Sequence, residues 1–145
     1  VELLGHPNII GIKEASGQYD LWLDLACEMD LKKNALLAGD DNAFATMLSL
    51  GGGGIVSASA NVVPEFFVRI FELASKGEWE KAFSVQKQLN PLIRSLFIET
   101  NPAPTKYALK LLHNHENQLR LPLVPVAAKT QLVVERALRG LELLK

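Results

Sequence analysis

Three short apolar runs, each followed by a helical pattern, predict an α/β chain with parallel strands joined by helical crossovers. The runs are Ile9 to Ala15, Ala35 to Ala38 and Ile55 to Ala58. Beyond Pro64 every apolar pattern has a spacing of three and four, so the second half reads as wholly helical.

Residues Val1 to Gly5 read as the end of a helix, and the chain opens without methionine, so a preceding segment is expected. In the first strand, period-two alternation puts Ile10, Ile12 and Glu14 on one face and Ile9, Gly11, Lys13 and Ala15 on the other. Ser16 and Gly17 are loop residues. Tyr19 to Met29 forms a helix with Leu21, Trp22, Leu25 and Met29 on one side, and its Asp20 and Asp24 suit the helix dipole. The second strand ends at Gly39-Asp40-Asp41, after which Asp41 or Asn42 caps a helix running to Leu50. Gly51 to Gly54 stops that helix and opens the third strand. Pro64 belongs to the first turn of the next helix, whose Phe66, Phe67, Ile70, Phe71 and Ala74 share a face and whose stop is Lys76-Gly77.

A long helix follows, with Trp79, Ala82, Phe83, Gln86, Leu89, Ile93, Leu96 and Phe97 in register across a kink at Pro91. Asn101 to Pro104 is a turn, Thr105 to Leu112 a helix, and Leu121 to Pro125 extended. Ala127 to Leu144 closes the chain as a helix with Leu132, Val133, Leu138 and Leu141 inward. The organisation expected is strand–helix units over residues 1–77 and a helical region over 78–145.

Of 145 residues, 48% are hydrophobic, sixteen are acidic and fifteen basic, for a net charge of −1. That balance argues against a nucleic-acid or anionic-membrane binder, and no apolar run has the length of a membrane span. The single Cys27 forms no internal disulfide, in keeping with a reducing cytoplasm.

Ligands of parallel α/β sheets bind at the carboxyl ends of the strands, where Lys13, Gly39 and Val56 to Ser57 converge. An ordinary lysine amine is almost wholly protonated near neutral pH and becomes a nucleophile only where its surroundings favour the neutral form. Gly11 and Ala15 leave room beside Lys13 for such a role, and the ordinary alternative is a lysine snorkelling at a strand end. Asp40 and Asp41 read as caps rather than as a cation site, and Gly51 to Gly54 as close backbone packing, since no phosphate-loop lysine follows. His6, His113 and His115 lack a zinc-type spacing, and Cys27 lacks a base partner, so all four read as structural.

Several ordered segments carry a resemblance. His6-Pro7-Asn8-Ile9-Ile10-Gly11-Ile12-Lys13-Glu14-Ala15-Ser16-Gly17, Gly39-Asp40-Asp41, and Gly54-Ile55-Val56-Ser57 with Ala60-Asn61-Val62 resemble the dihydrodipicolinate synthase and N-acetylneuraminate lyase superfamily. Phe97 to Lys106 and Leu119 to Pro125 are similar to its synthase branch. The resemblance implies the last three βα units of a (β/α)8 TIM barrel followed by a C-terminal helical region. It implies that Lys13 forms an imine with pyruvate, that Gly39 and Val56 line the pyruvate site, and that no cofactor or metal is needed. It places Asn101 near the pocket without a chemical role. The implied reaction condenses pyruvate with aspartate semialdehyde on the way to diaminopimelate and lysine, in a cytoplasmic homotetramer.

Three strands are too few for a barrel of about 250 residues. The family's carboxylate-binding threonine loop, relay tyrosines and substrate arginine belong to an earlier half, so an N-terminal half of the barrel is an expected partner. The alternatives are a lyase of N-acetylneuraminate type and a non-catalytic half that pairs through its exposed sheet edges.

Overall fold

The computed structural model describes residues 2–144, in two compact units: Val1–Ser57 with Arg69–Phe83, and Ala58–Val68 with Ser84–Lys145. Val1, part of the helix end expected at residues 1–5, lies outside the described residues, and Glu2–Gly5 form a 3-10 turn.

The first unit holds β1 (Gly11–Glu14), α1 (Tyr19–Glu28), β2 (Ala35–Ala38), α2 (Phe44–Ser49) and β3 (Gly54–Ile55). The strands form one sheet in the order β1-β2-β3, and both pairings are parallel. Such an order follows from two short crossovers, each placing the next strand beside the last. The register sets Lys13 opposite Leu37 and Glu14 opposite Ala38, then Leu37 opposite Gly54 and Ala38 opposite Ile55.

β1 is shorter than the apolar run that contains it: it begins at Gly11, with the Ile10 carbonyl accepting the Ala35 amide at 2.9 Å just ahead of it. β2 has the bounds its sequence suggests. β3 has two residues instead of four: the Val56 amide still donates to the Ala38 carbonyl at 2.9 Å, but Ser57 and Ala58 leave the sheet ahead of a 3-10 turn at Ser59–Asn61. The cap after β2 is also different from the expected one. The Asp40 carboxylate accepts the Asn42 N–H at 3.1 Å and starts a 3-10 turn, Asp41–Ala43, that leads into α2.

On α1 the buried side chains are Trp22 and Leu25, with Met29 just beyond, while Leu21 is exposed. α2 buries Phe44, Ala45, Met47 and Leu48, and it packs on β2 and β3. Gly52 explains part of the glycine run, because a Cβ there would stand 2.7 Å from the Met47 carbonyl oxygen.

α3 (Pro64–Ser75) begins on its proline and ends at Gly77, whose φ of +74° closes a Schellman stop: the Gly77 amide donates to Ala74 and the Glu78 amide to Leu73. Phe67, Ile70 and Ala74 are its buried stripe, and Phe71 is exposed. α4 (Trp79–Leu96) carries Pro91 inside it, and buries Ala82, Val85, Gln86, Leu89, Leu92, Ile93 and Leu96 while leaving Trp79 and Phe97 exposed.

In the second unit α5 (Ala103–His113) and α6 (Ala128–Gly140) pack together. α5 starts two residues ahead of the expected Thr105, directly after the cis bond Asn101–Pro102. α6 stops four residues short of the expected end. Glu142 takes a left-handed φ of 60°, and the Leu143 amide turns back to the Leu138 carbonyl. Its buried face is Thr130, Val134, Ala137 and Leu138 with Leu141; Leu132, placed inward by the sequence reading, is 64% exposed.

Candidate active site

The ladder sorts the ends of the three strands into two faces. Lys13 and Leu37 share one, and by alternation Ala15, Gly39, Gly54 and Val56 belong to it too. Ile12, Glu14, Leu36, Ala38 and Ile55 belong to the other. The second face is the covered one at the strand ends, where Leu36 and Ala38 are fully buried and Glu14 is 7% exposed. The first is open: Lys13 and Ala15 are exposed, and Val56 is half exposed.

Gly39 is where the strand end becomes a site. Its amide donates to the Glu14 carbonyl at 2.6 Å, which holds the turn after β2 against the end of β1. A Cβ on Gly39 would meet the Lys13 Cε at 2.7 Å, the Ala15 Cβ at 2.6 Å and the Glu14 carbonyl oxygen at 2.9 Å. The Lys13 stem therefore lies across Gly39, in space that any side chain there would take. Val56 stands one strand further along, fixed by its amide bond to Ala38. The three residues expected to form the site thus come from consecutive carboxyl ends and share one open face.

The Lys13 amine is thus exposed on a face where, of the residues named above, none carries a carboxylate, imidazole or phenol. Glu14 points to the covered face, where Oε1 accepts the Ser16 amide at 2.7 Å and Oε2 has no partner among the described residues. The sequence reading passed over Glu14, although its place in the alternation with Ile10 and Ile12 was the available signal.

The remaining candidates settle into local structure. Asp40 is a cap, and Asp41 is 1% exposed. His6 Nδ1 accepts the Asn8 amide at 3.2 Å, and His113 and His115 meet edge to face with centroids 6.3 Å apart. Among the described residues no group of three His, Cys, Asp or Glu could hold a metal ion, and Cys27 is exposed. Asn101 braces a turn: its Nδ2 donates to the Leu96 carbonyl at 2.9 Å, and its Oδ1 accepts the Thr105 hydroxyl at 2.6 Å. In the same unit Tyr107 donates to Glu135 at 2.6 Å; burial, then that carboxylate, push its hydroxyl up to about 12. At the amino end of β1 an apolar groove is lined by Leu3, Leu4, Ile9, Ile12, Leu25 and Met29, with no polar side chain among its lining residues.

Residues 1–141 match the model of the dihydrodipicolinate synthetase family. The chain belongs to that family. Among family members, the 4-hydroxy-tetrahydrodipicolinate synthase of Methanosphaerula palustris is 41% identical over 135 residues, which cover 92% of this chain and 46% of that protein. The crystal structure of the dihydrodipicolinate synthase of Thermotoga maritima superposes with a TM-score of 0.91 at 36% identity, over 94% of this chain and 47% of that one. The chloride-inhibited synthase of Acinetobacter baumannii, complexed with pyruvate, superposes with a TM-score of 0.93 at 29% identity, over 99% of this chain and 49% of that one. The chain spans about half the length of the curated relatives it matches. No described helix is long and apolar enough to cross a membrane.

Proposed function

We propose that this chain supplies the imine-forming half of a pyruvate-dependent carbon–carbon lyase, with Lys13 as its nucleophile. The observation that carries the reading is the Lys13 side chain lying across Gly39 at the open carboxyl edge of the sheet. The neutral amine adds to the ketone carbon of pyruvate, and the carbinolamine hydroxyl takes up a proton and departs as water, leaving a protonated imine. That cation is the electron sink: a methyl proton departs, and the resulting enamine attacks the aldehyde carbon of aspartate semialdehyde. The chemistry asks for no metal or organic cofactor. Gly39 and Val56 line the keto acid's place, with Gly39 keeping the space and the Val56 backbone forming the far wall.

In this reading residues 1–77 are the last three βα units of a (β/α)8 barrel, and 78–145 are the helical region that follows. The earlier strands, whether joined to this chain or separate, bring the groups that bind the carboxylate and move protons. The complete enzyme is a cytoplasmic homo-oligomer serving diaminopimelate and lysine synthesis. Two features support this: membership of the family and relatives twice as long.

Borohydride reduction of the complete protein with pyruvate, followed by peptide mass spectrometry, will find a pyruvate-derived adduct on Lys13. An adduct on another lysine, or none, rejects the assignment. Condensation with aspartate semialdehyde, and not cleavage of N-acetylneuraminate, is the expected activity. It appears only when the rest of the barrel is present.

A further inference from the structure

Glu14 poses a question that the imine chemistry leaves open. It is the neighbour of the nucleophile on β1, its side chain is more than nine-tenths buried, and Oε2 is shut away without a hydrogen-bond partner among the described residues. A carboxyl group buried with one oxygen unpartnered costs stability rather than adding it, and glutamine or leucine would fill the same space more cheaply. Residues held at such a cost gather where geometry matters to function.

What Glu14 does hold is the rim. Oε1 accepts the Ser16 amide at 2.7 Å, and the Ser16 hydroxyl in turn accepts the Gln18 amide at 3.1 Å, just where α1 begins. Gln18 makes no side-chain cap of its own, so this two-step chain is what shapes the passage from β1 into α1. The Glu14 carbonyl takes the Gly39 amide at 2.6 Å. Ala15 lies between these two anchors, and its Cβ and the Lys13 Cε both border the space over Gly39.

Resting on the reading of Lys13 as the imine-forming amine, we propose that Glu14 is a positioning residue for it: from the covered face of the sheet, its carboxylate fixes the turn that forms the slot for the Lys13 side chain on the open face. The hydrogen bond to the Ser16 amide carries the effect. A side chain that keeps an acceptor there keeps the slot.

The test uses the complete natural protein and two variants, Glu14→Ala and Glu14→Gln, with rates taken per folded molecule. In single-turnover borohydride trapping at saturating pyruvate, Glu14→Ala slows imine formation about tenfold, and Glu14→Gln returns to within about threefold of wild type. Neither variant lowers the unfolding midpoint by more than about 2 °C, which separates positioning from a merely structural role. Acetylation of Lys13 by a small anhydride, measured without pyruvate against Lys32 and Lys33 of the same protein, changes at least about threefold in Glu14→Ala and is restored in Glu14→Gln. Equal trapping and labelling in wild type and Glu14→Ala overturns the proposal, and so does a glutamine variant as impaired as the alanine one. A wild type that forms no pyruvate adduct rejects the reading of the site instead. The labelling ratio then judges Glu14 alone: changed and restored sustains it, unchanged overturns it.

Discussion

The two faces of the small sheet are made by neighbouring residues with opposite fates. Lys13 and Glu14 are one residue apart, yet one lies open over a glycine and the other is 7% exposed beneath the strand. The same holds across β2, where Leu36 is fully buried and Leu37 only half covered. Pleating allots the covered face to stability and leaves the open one for chemistry. A substitution should therefore damage stability or reactivity according to its parity along the strand, with Glu14 the exception, because its covered carboxylate acts on the open face through the turn it fixes.

The largest expected effect is on the open face. Lys13→Ala abolishes the pyruvate adduct, a loss of at least about a thousandfold in trapping, while thermal unfolding shifts by less than about 0.5 kcal/mol. A large loss of stability in this variant would break the division of faces. Its counterpart is Leu36→Ala, which costs about 3 kcal/mol in denaturant unfolding, against under about 1 kcal/mol for Leu37→Ala. Similar costs for the two leucines would contradict the burial pattern.

Gly39→Ala joins the two faces in one experiment. Its new methyl meets both the Lys13 stem and the fixed Glu14 carbonyl, so it costs about 1–3 kcal/mol in stability and slows trapping about tenfold. The smallest effect lies in the second unit. Tyr107→Phe removes the bond to Glu135 at a cost of about 1 kcal/mol near neutral pH, with no change in trapping. Because the folded tyrosine holds its proton up to about 12, above the value near 10 of an unfolded one, its contribution is complete below pH ~10 and is lost as pH rises toward 12. Alkaline titration of unfolding should find that loss in wild type and a weaker one in the variant.

Much of this was legible in the sequence, and the exceptions have physical causes. The β2 bounds, the proline start of α3 and its glycine stop follow from local backbone chemistry, which neighbours cannot override. The lengths of β3 and α6 do not. β3 ends early because β2 is its one described partner and the chain turns into Ser59–Asn61. α6 ends early because Glu142, an ordinary residue, takes a left-handed turn that no composition announces. The inward face of α6 was misread by one position, Val133 for Val134, since consecutive apolar residues leave the phase of a stripe open. At the site, the strand-end rule and the family motifs together brought Lys13, Gly39 and Val56 to one edge. The buried side chain of Glu14 was hidden by its charge, which reads as exposed until its hydrogen bond to Ser16 is seen.

The register of the sheet also acts as a ruler. Ala15, Gly39 and Val56 each stand one residue past the end of three adjacent strands, and neighbouring strands lie about 4.8 Å apart, so the row is about 10 Å long. In the proposed reading, a three-carbon acid attached at Lys13 reaches about one gap along it, as far as the neighbourhood of Gly39. The length of the row thus favours a short first substrate lying flat along the strand ends and a second one arriving from above the sheet.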